Sequence, residues 1–260
     1  MSSPVRVEVG PVSRIVLARP DKQNAMTAEM GRLVSEAVAT LNASAEPRVV
    51  LVVGEGRAFC AGGDFSLIEE NSKKSPEQNR REMVGFYSSF LSVSRLAVPS
   101  VAVLHGATVG AGLCLAMACD LRLAASEAKL GANFVRIGLH PGMGASLLLP
   151  RLVGPAKAAE LLLTGRLVTG SEAERIGLVN LAVPRAELDA RVAELTAELT
   201  SAAPVAVAQV KETLASPLLG ALDAALEREA ACQALDFTTA DLREAVAAFR
   251  EGRRPVFVGS

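Results

Sequence analysis

The sequence is poor in the side chains on which many binding and catalytic sites depend. Its 260 residues include no tryptophan, one tyrosine and two histidines, and aromatic residues make up 3% of the chain. Stacking platforms for nucleic-acid bases are therefore not expected. The formal net charge is −1, and no run of Lys or Arg is long enough to follow a phosphate backbone, so no nucleic-acid partner is predicted.

Cysteine is also scarce, and no two of the four cysteines show Cys-x-x-Cys spacing. Because only two histidines are available to complete a ligand set, neither a zinc site nor another cofactor is predicted. The cysteines lie in apolar stretches, which is typical of reduced, buried thiols and favours a cytoplasmic location. There is no apolar signal core and no bilayer-spanning apolar run, so we expect a soluble protein. The cysteines are Cys60, Cys114, Cys119 and Cys232.

Half of the residues are hydrophobic, which is enough to fill one sizeable core. Val49–Val53 and Val101–Leu104 are continuous apolar runs typical of strands buried on both faces. Thr27 precedes an amphipathic helical pattern and can serve as its N-cap. Strands that alternate with helices predict an α/β core over residues 1–183. The polar segment Asn71–Gln78 is predicted to be a mobile loop.

After Pro184 the sequence becomes rich in Ala, Leu and Glu and contains no convincing strand. We predict a helical C-terminal region over residues 184–260 that is continuous with the core. Pro204 and Pro217 are expected to break its helices, because proline lacks the backbone N–H group.

Two glycine-rich segments each follow a predicted buried strand. The first, Gly54–Asp64, contains adjacent glycines at 62 and 63, which permit a ligand to approach the backbone closely. Open α/β folds bind ligands at the carboxyl ends of their strands, where this segment lies. An ordinary glycine-rich loop remains an equal alternative.

The second glycine-rich segment is His105–Asp120, which runs directly into a helix that is apolar on every side. Because this helix is predicted to be buried and starts at Gly110-Ala111-Gly112, its first N–H groups point into the protein and need a partner. A developing oxyanion would suit these donors, whereas tight packing on small residues is the alternative. The sequence contains no dinucleotide fingerprint, phosphate-binding loop or Gly-x-Ser-x-Gly elbow.

Together these segments resemble the enoyl-CoA hydratase/isomerase (crotonase) family. The resemblance covers about 240 residues in order, and it implies a spiral of ββα units with a helical C-terminal trimerisation region. It also implies a homotrimer or a dimer of trimers. The segments that carry the resemblance are Leu17–Ala25, Ala58–Asp64, Gly106–Asp120, Gly138–Gly144, Arg175–Asn180 and Phe249–Phe257.

The family resemblance implies an acyl-coenzyme A thioester as the substrate. By position, the N–H groups of Gly63 and Ala111 would form an oxyanion hole for the thioester carbonyl, as two backbone donors do in acyl-transfer sites. Lys22 can meet the coenzyme A phosphates, and Lys211 and the Arg253-Arg254 pair can reach coenzyme A of a neighbouring subunit, although surface charge explains them equally well. The implied substrate-binding residues are Ala61, Gly63, Asp64, Phe65, Ser66, Gly110, Ala111 and Phe134.

The acidic residues that the family uses for catalysis are missing from this sequence. Cys114 and Phe134 occupy the positions of the two hydratase glutamates, and Gly142 occupies the position of an acid that some isomerases keep. General acid–base groups contribute about 10²- to 10⁴-fold each. We therefore expect classical hydration to be very slow.

Two residues near the missing acids are candidates for a replacement. His140 precedes Pro141 and can act as a base near neutral pH, although a histidine packed under the turn is the simpler interpretation. Cys114 can act as a nucleophile, although a small core residue is the more ordinary role of a cysteine on an apolar helix. Glu69, Glu70 and Tyr87 can enter an acyl pocket only if their region folds over it.

Three functions are therefore considered. The first is a lyase or isomerase that acts on an acyl-CoA through an oxyanion-stabilised enolate, with Gly63, Ala111 and His140 as the catalytic residues. The second is a non-catalytic acyl-CoA-binding carrier or regulator. The third is a structural subunit of a larger complex.

Overall fold

The computed structural model describes residues 3–260, which form nine strands and ten α-helices. The strands are β1 (Val5–Glu8), β2 (Val12–Leu17), β3 (Val49–Gly54), β4 (Ser100–Leu104), β5 (Ala107–Val109), β6 (Leu121–Ala125), β7 (Lys129–Gly131), β8 (Val168–Thr169) and β9 (Leu181–Val183). The helices are α1 (Ala28–Ala43), α2 (Phe65–Asn71), α3 (Pro76–Leu91), α4 (Ala111–Met117), α5 (Ala145–Val153), α6 (Pro155–Thr164), α7 (Gly170–Arg175), α8 (Arg185–Ser201), α9 (Pro204–Asp236) and α10 (Ala240–Glu251).

The apolar runs predicted as buried strands form the centre of a six-stranded sheet. Its order is β1-β2-β3-β4-β6-β9, and every neighbouring pair is parallel except the antiparallel β1 and β2. The strands β5, β7 and β8 form a second, smaller sheet. Because β3 and β4 are parallel neighbours, the two glycine-rich segments that follow them leave the sheet at the same edge.

The first helix confirms the amphipathic pattern and its predicted cap. The Thr27 hydroxyl accepts a hydrogen bond from the backbone N–H of Met30 at 3.3 Å. The apolar face of α1, including Val34, Val38 and Leu41, is buried. Burial of this face fixes α1 against the core, and the threonine cap fixes where the helix begins.

Two expectations about helix boundaries are wrong. Pro204 is the first residue of α9, where a missing N–H costs nothing, but Pro217 lies inside that helix and does not break it. Pro217 is exposed, so water can hydrate the carbonyl that loses its helical donor. The predicted Asn71–Gln78 loop is shorter than expected: Asn71 ends α2, residues 72–75 form the connection, and the Ser75 hydroxyl caps the start of α3.

The C-terminal helices pack directly on the core. Strands are confined to the region before Pro184 in the described residues, and only helices follow it. The long helix α9 runs along α3, and α8 packs against β6. The division of the chain at residue 184 stays a prediction. No helix within residues 3–260 is both long and apolar enough to cross a membrane.

Replacement of the α1 cap should destabilise the fold measurably. Thr27→Ala removes the only side-chain acceptor at the start of the helix, so we expect the free energy of unfolding to fall by about 1 kcal/mol. Thr40→Ala is the control, because Thr40 is exposed on the same helix and its loss should change stability by less than about 0.5 kcal/mol. Equal shifts of the two urea midpoints would contradict the cap.

Candidate functional site

The two glycine-rich segments contact each other at the start of α4. A Cβ atom placed on Gly112 would lie 2.5 Å from the carbonyl oxygen of Cys60, so no larger residue fits between them. Cys60 and Thr108 also form a parallel β-bridge that joins the first segment to β5. The first turn of α4 is therefore held directly against the first segment.

This contact leaves two backbone N–H groups without a protein acceptor. Gly110 has φ +54°, a conformation that glycine adopts readily, and its own N–H donates to the carbonyl of Gly131 at 2.8 Å. The N–H groups of Gly63 and Ala111 donate to no acceptor within residues 3–260, and both residues line the same cavity. The N–H of Ala111 is in the first turn of α4, where the helix itself provides no acceptor. The pair has the composition of an oxyanion hole.

The cavity has a volume of about 280 Å³ and a mostly apolar wall. Its lining includes no Asp, Glu, Lys, Arg or His side chain within the described part of the chain. Its polar side chains are those of Asn71, Tyr87, Asn133 and Gln233, and its apolar side chains include Phe65, Leu67, Ile68, Met83, Phe86, Phe134, Ile137, Leu139, Met143, Phe237 and Phe249. Such a cavity suits an uncharged, apolar chain.

Six of the eight predicted substrate-binding residues line this cavity: Ala61, Gly63, Phe65, Gly110, Ala111 and Phe134. Asp64 and Ser66 do not line it. The Asp64 carboxylate instead caps α2, where it accepts hydrogen bonds from the N–H and hydroxyl of Ser66 and from Arg19. Burial opposes ionisation of Asp64, but these hydrogen bonds outweigh burial and lower its pKa. Asp64 and Ser66 therefore shape the loop.

The positions of the missing acids lie close together. The Cys114 thiol donates to the carbonyl of Gly142 at 3.3 Å, and Phe134 belongs to the cavity wall. Burial is the main cause that raises the pKa of Cys114 well above its ordinary value, so the thiol stays neutral. This environment matches the core interpretation of Cys114 and gives no support to a nucleophile.

His140 lies in the turn before Gly142 but does not line the cavity. Its Nδ1 atom is 2.6 Å from the carbonyl oxygen of Pro141, and its backbone N–H donates to the carboxylate of Asp236 at 2.6 Å. This placement agrees with a histidine packed under its own turn, and the catalytic role of His140 stays a prediction.

Two residues of the C-terminal helices complete the cavity. The side chain of Gln233, from α9, accepts a hydrogen bond from the Tyr87 hydroxyl at 2.5 Å. The ring of Phe249, from α10, stacks on Phe65 with 3.7 Å between centroids and 9° between planes. The sequence placed Tyr87 in the pocket only on the condition that its region folds over, and it gave no sign of Gln233, because a single glutamine 146 positions from Tyr87 carries no local signal.

Two of the basic residues predicted to contact coenzyme A are paired with acidic side chains of the same chain. The Lys211 ammonium is nearly buried and donates to Asp120 at 2.5 Å, and Arg253 pairs with Glu244 and Glu251. These cations already have partners within the chain.

A model of the family described as enoyl-CoA hydratase/isomerase matches residues 9–260. The chain belongs to the enoyl-CoA hydratase/isomerase family. A putative enoyl-CoA hydratase of Thermus thermophilus is 36% identical over 254 residues, which are 97% of this chain and 100% of that protein. Human enoyl-CoA hydratase domain-containing protein 2, mitochondrial, is 36% identical over 266 residues, covering 98% of this chain and 89% of that protein.

Solved structures of enoyl-CoA hydratases share the fold. One from Mycobacterium avium subspecies paratuberculosis superposes with a TM-score of 0.86 at 30% identity and covers 98% of both chains. One from Bacillus halodurans gives 0.87 at 27% identity, covering 95% of this chain and all of that one. The predicted crotonase-like α/β fold with a helical C-terminal region is thus confirmed, and trimerisation through that region stays a prediction.

A buried carboxylate behind the cavity fixes the turn that follows Gly142. Glu229 is fully buried, and its two oxygens accept from the N–H of Gly144 at 2.6 Å and from the N–H and hydroxyl of Ser146. Burial raises the pKa of Glu229 although these hydrogen bonds oppose the shift. The carboxylate therefore caps the start of α5, although Glu229 itself belongs to α9.

Glu229→Gln should destabilise the protein although the two side chains have the same shape. An amide presents N–H₂ at one end, so either orientation leaves one backbone N–H of Gly144 or Ser146 facing another donor. We expect the free energy of unfolding to fall by about 1–3 kcal/mol. Glu212→Gln, on the exposed side of α9, is the control and should leave the urea midpoint unchanged. A stable Glu229→Gln variant would argue against the cap.

Proposed function

We propose that this protein binds an acyl-CoA thioester and polarises its carbonyl between the N–H groups of Gly63 and Ala111. The observation that carries the proposal is that these two amides, which have no acceptor among residues 3–260, line one apolar cavity. A thioester enolate concentrates negative charge on its carbonyl oxygen, and two fixed donors stabilise that charge more than the neutral ground state. The reaction we favour therefore passes through an enolate.

The neutral cavity wall restricts how protons move. Tyr87 is the one titratable phenol in the lining, and burial, with the nearby charge of Glu229, raises its pKa well above 10. It is therefore protonated at neutral pH and is not a base. A water molecule or the substrate itself would have to carry the proton, which favours chemistry other than glutamate-assisted hydration.

A second candidate function is non-catalytic acyl-CoA binding. It is favoured by the same neutral wall, since no carboxylate or imidazole within the described residues faces the cavity. The protein would then act as a carrier or regulator that recognises the thioester without turning it over. The two candidates share one binding site and differ only in whether the bound thioester reacts.

We also propose that the chain assembles as a homotrimer or a dimer of trimers. Val205, Val210 and Leu214 of α9 are 70%, 58% and 73% exposed in the single chain, and burial of such apolar side chains favours association. Light scattering coupled to size-exclusion chromatography measures the mass of the assembly directly.

The oxyanion hole predicts a preference for a thioester over its thioether. Butyryl-CoA has the carbonyl oxygen that the two N–H groups bind, whereas S-butyl-CoA lacks it. Gly63→Pro removes one donor, so we expect calorimetry to show butyryl-CoA binding weakened about 2- to 10-fold, with S-butyl-CoA binding unaffected. If turnover of any acyl-CoA is found, the same variant should lower it by about 10²- to 10³-fold.

Gly63→Ala is the matched control for this test. It keeps the N–H group, and a Cβ atom at Gly63 would meet nothing within 4 Å, so the variant should retain wild-type binding. The oxyanion assignment is wrong if wild-type protein binds the thioester and the thioether equally, or if Gly63→Pro behaves like Gly63→Ala.

Two isotope experiments separate the reaction classes. Crotonyl-CoA incubated in heavy-oxygen water should gain no label at an enzymatic rate, because the family's glutamates are replaced by Cys114 and Phe134. Mass spectrometry of butyryl-CoA incubated in deuterium oxide reports exchange at the carbon next to the carbonyl. Exchange supports enolate chemistry, tight binding without exchange supports the non-catalytic function, and rapid hydration contradicts both interpretations.

A further inference from the structure

Two of the four polar side chains that line the cavity, Tyr87 and Gln233, form a hydrogen-bonded pair. Each side chain is 3% exposed, and the two come from α3 and α9. The Tyr87 hydroxyl lies 2.5 Å from Oε1 of Gln233, and Nε2 of Gln233 donates to the carbonyl of His140 at 2.7 Å. Both side chains line the cavity that contains Gly63 and Ala111.

The direction of these hydrogen bonds follows from the chemistry of the groups. The His140 carbonyl only accepts, so the amide of Gln233 must turn its nitrogen toward it and its oxygen toward Tyr87. The Tyr87 proton is then committed to Oε1. Two functions remain free within the described residues: the lone pairs of the Tyr87 oxygen and the second N–H of Gln233.

The pair packs against Gly142, which is one of the positions of the missing family acids. A Cβ atom on Gly142 would lie 2.7 Å from the Tyr87 oxygen and 2.8 Å from Nε2 of Gln233. Gly142 also accepts from the thiol of Cys114, which occupies another of the vacated positions. The glycine is therefore required by the pair, and the pair lies where the related enzymes carry carboxylates.

We propose that Tyr87 and Gln233 form a neutral subsite that selects acyl chains bearing a hydroxyl group near the thioester. A hydroxyl is both donor and acceptor, so it can donate to the Tyr87 oxygen while its own oxygen accepts from Gln233. A carboxylate has no proton to donate and would meet the lone pairs of Tyr87 in a cavity without a cation. This inference rests on the proposed thioester site and adds the class of acyl group that the site prefers.

The test compares 3-hydroxybutyryl-CoA, butyryl-CoA and succinyl-CoA by calorimetry. Wild-type protein should bind the hydroxylated chain more tightly than butyryl-CoA and should bind succinyl-CoA least. Tyr87→Phe keeps the ring and removes the acceptor, so the ratio of the first two affinities should fall by about 2- to 10-fold. Ser88→Ala, which removes an exposed hydroxyl from the same helix, is the control and should keep the wild-type ratio.

A second measurement needs no variant. Tyr87 is the only tyrosine in the chain, so protein labelled with ¹³C at the tyrosine Cζ gives one resonance that reports on this hydroxyl. We expect 3-hydroxybutyryl-CoA to shift this resonance more than butyryl-CoA does, in the wild-type protein and in the Ser88→Ala control.

The inference is overturned by equal affinities for the hydroxylated and plain chains, by an unchanged ratio in Tyr87→Phe, or by equal shifts of the tyrosine resonance. Failure of the thioester site itself looks different, because butyryl-CoA would then bind no better than S-butyl-CoA. If neither hydroxylated nor plain acyl-CoA binds, both proposals are wrong.

Discussion

The close contact between the start of α4 and the first glycine-rich segment is the constraint on which the site depends. Gly112 lies against the Cys60 carbonyl with no room for a side chain, and the bridge from Cys60 to Thr108 holds the two segments in register. Because backbone packs on backbone here, the N–H groups of Gly63 and Ala111 are placed without help from any side chain. Tight packing on small residues, one of the two alternatives for this segment, is therefore present, and it leaves in the cavity the two amides that the proposed oxyanion hole requires.

A backbone site leaves the neighbouring side chains free to change, and in this chain they have become neutral. Cys114, Phe134 and Gly142 occupy the positions to which the family resemblance assigns acids, and the Tyr87–Gln233 pair packs against Gly142. Carboxylates persist nearby, but the one on Glu229 caps α5 and the one on Asp236 accepts from the backbone of His140. Both carboxylates therefore hold the turn in place, and neither lines the cavity.

The C-terminal helices belong to the site as much as to the scaffold. Helix α9 provides Gln233 at the floor of the cavity, and α10 provides Phe249, whose ring stacks on Phe65 at its wall. The same α9 carries Glu229 and so also fixes the turn beyond Gly142. A change in how these helices pack would therefore alter the cavity and the turn beyond Gly142 together.

Local sequence determined the strands β3 and β4, the Thr27 cap and both glycine-rich segments, because apolar runs, capping residues and glycines act through their immediate neighbours. It also determined that the usual acids are absent. Only the tertiary structure decided that His140 packs under its turn and that Gln233 reaches Tyr87. Pro217 inside α9 belongs with these, since its tolerance depends on solvent exposure. His140 and Gln233 are held by contacts between distant segments, and a linear pattern of residues does not encode such contacts.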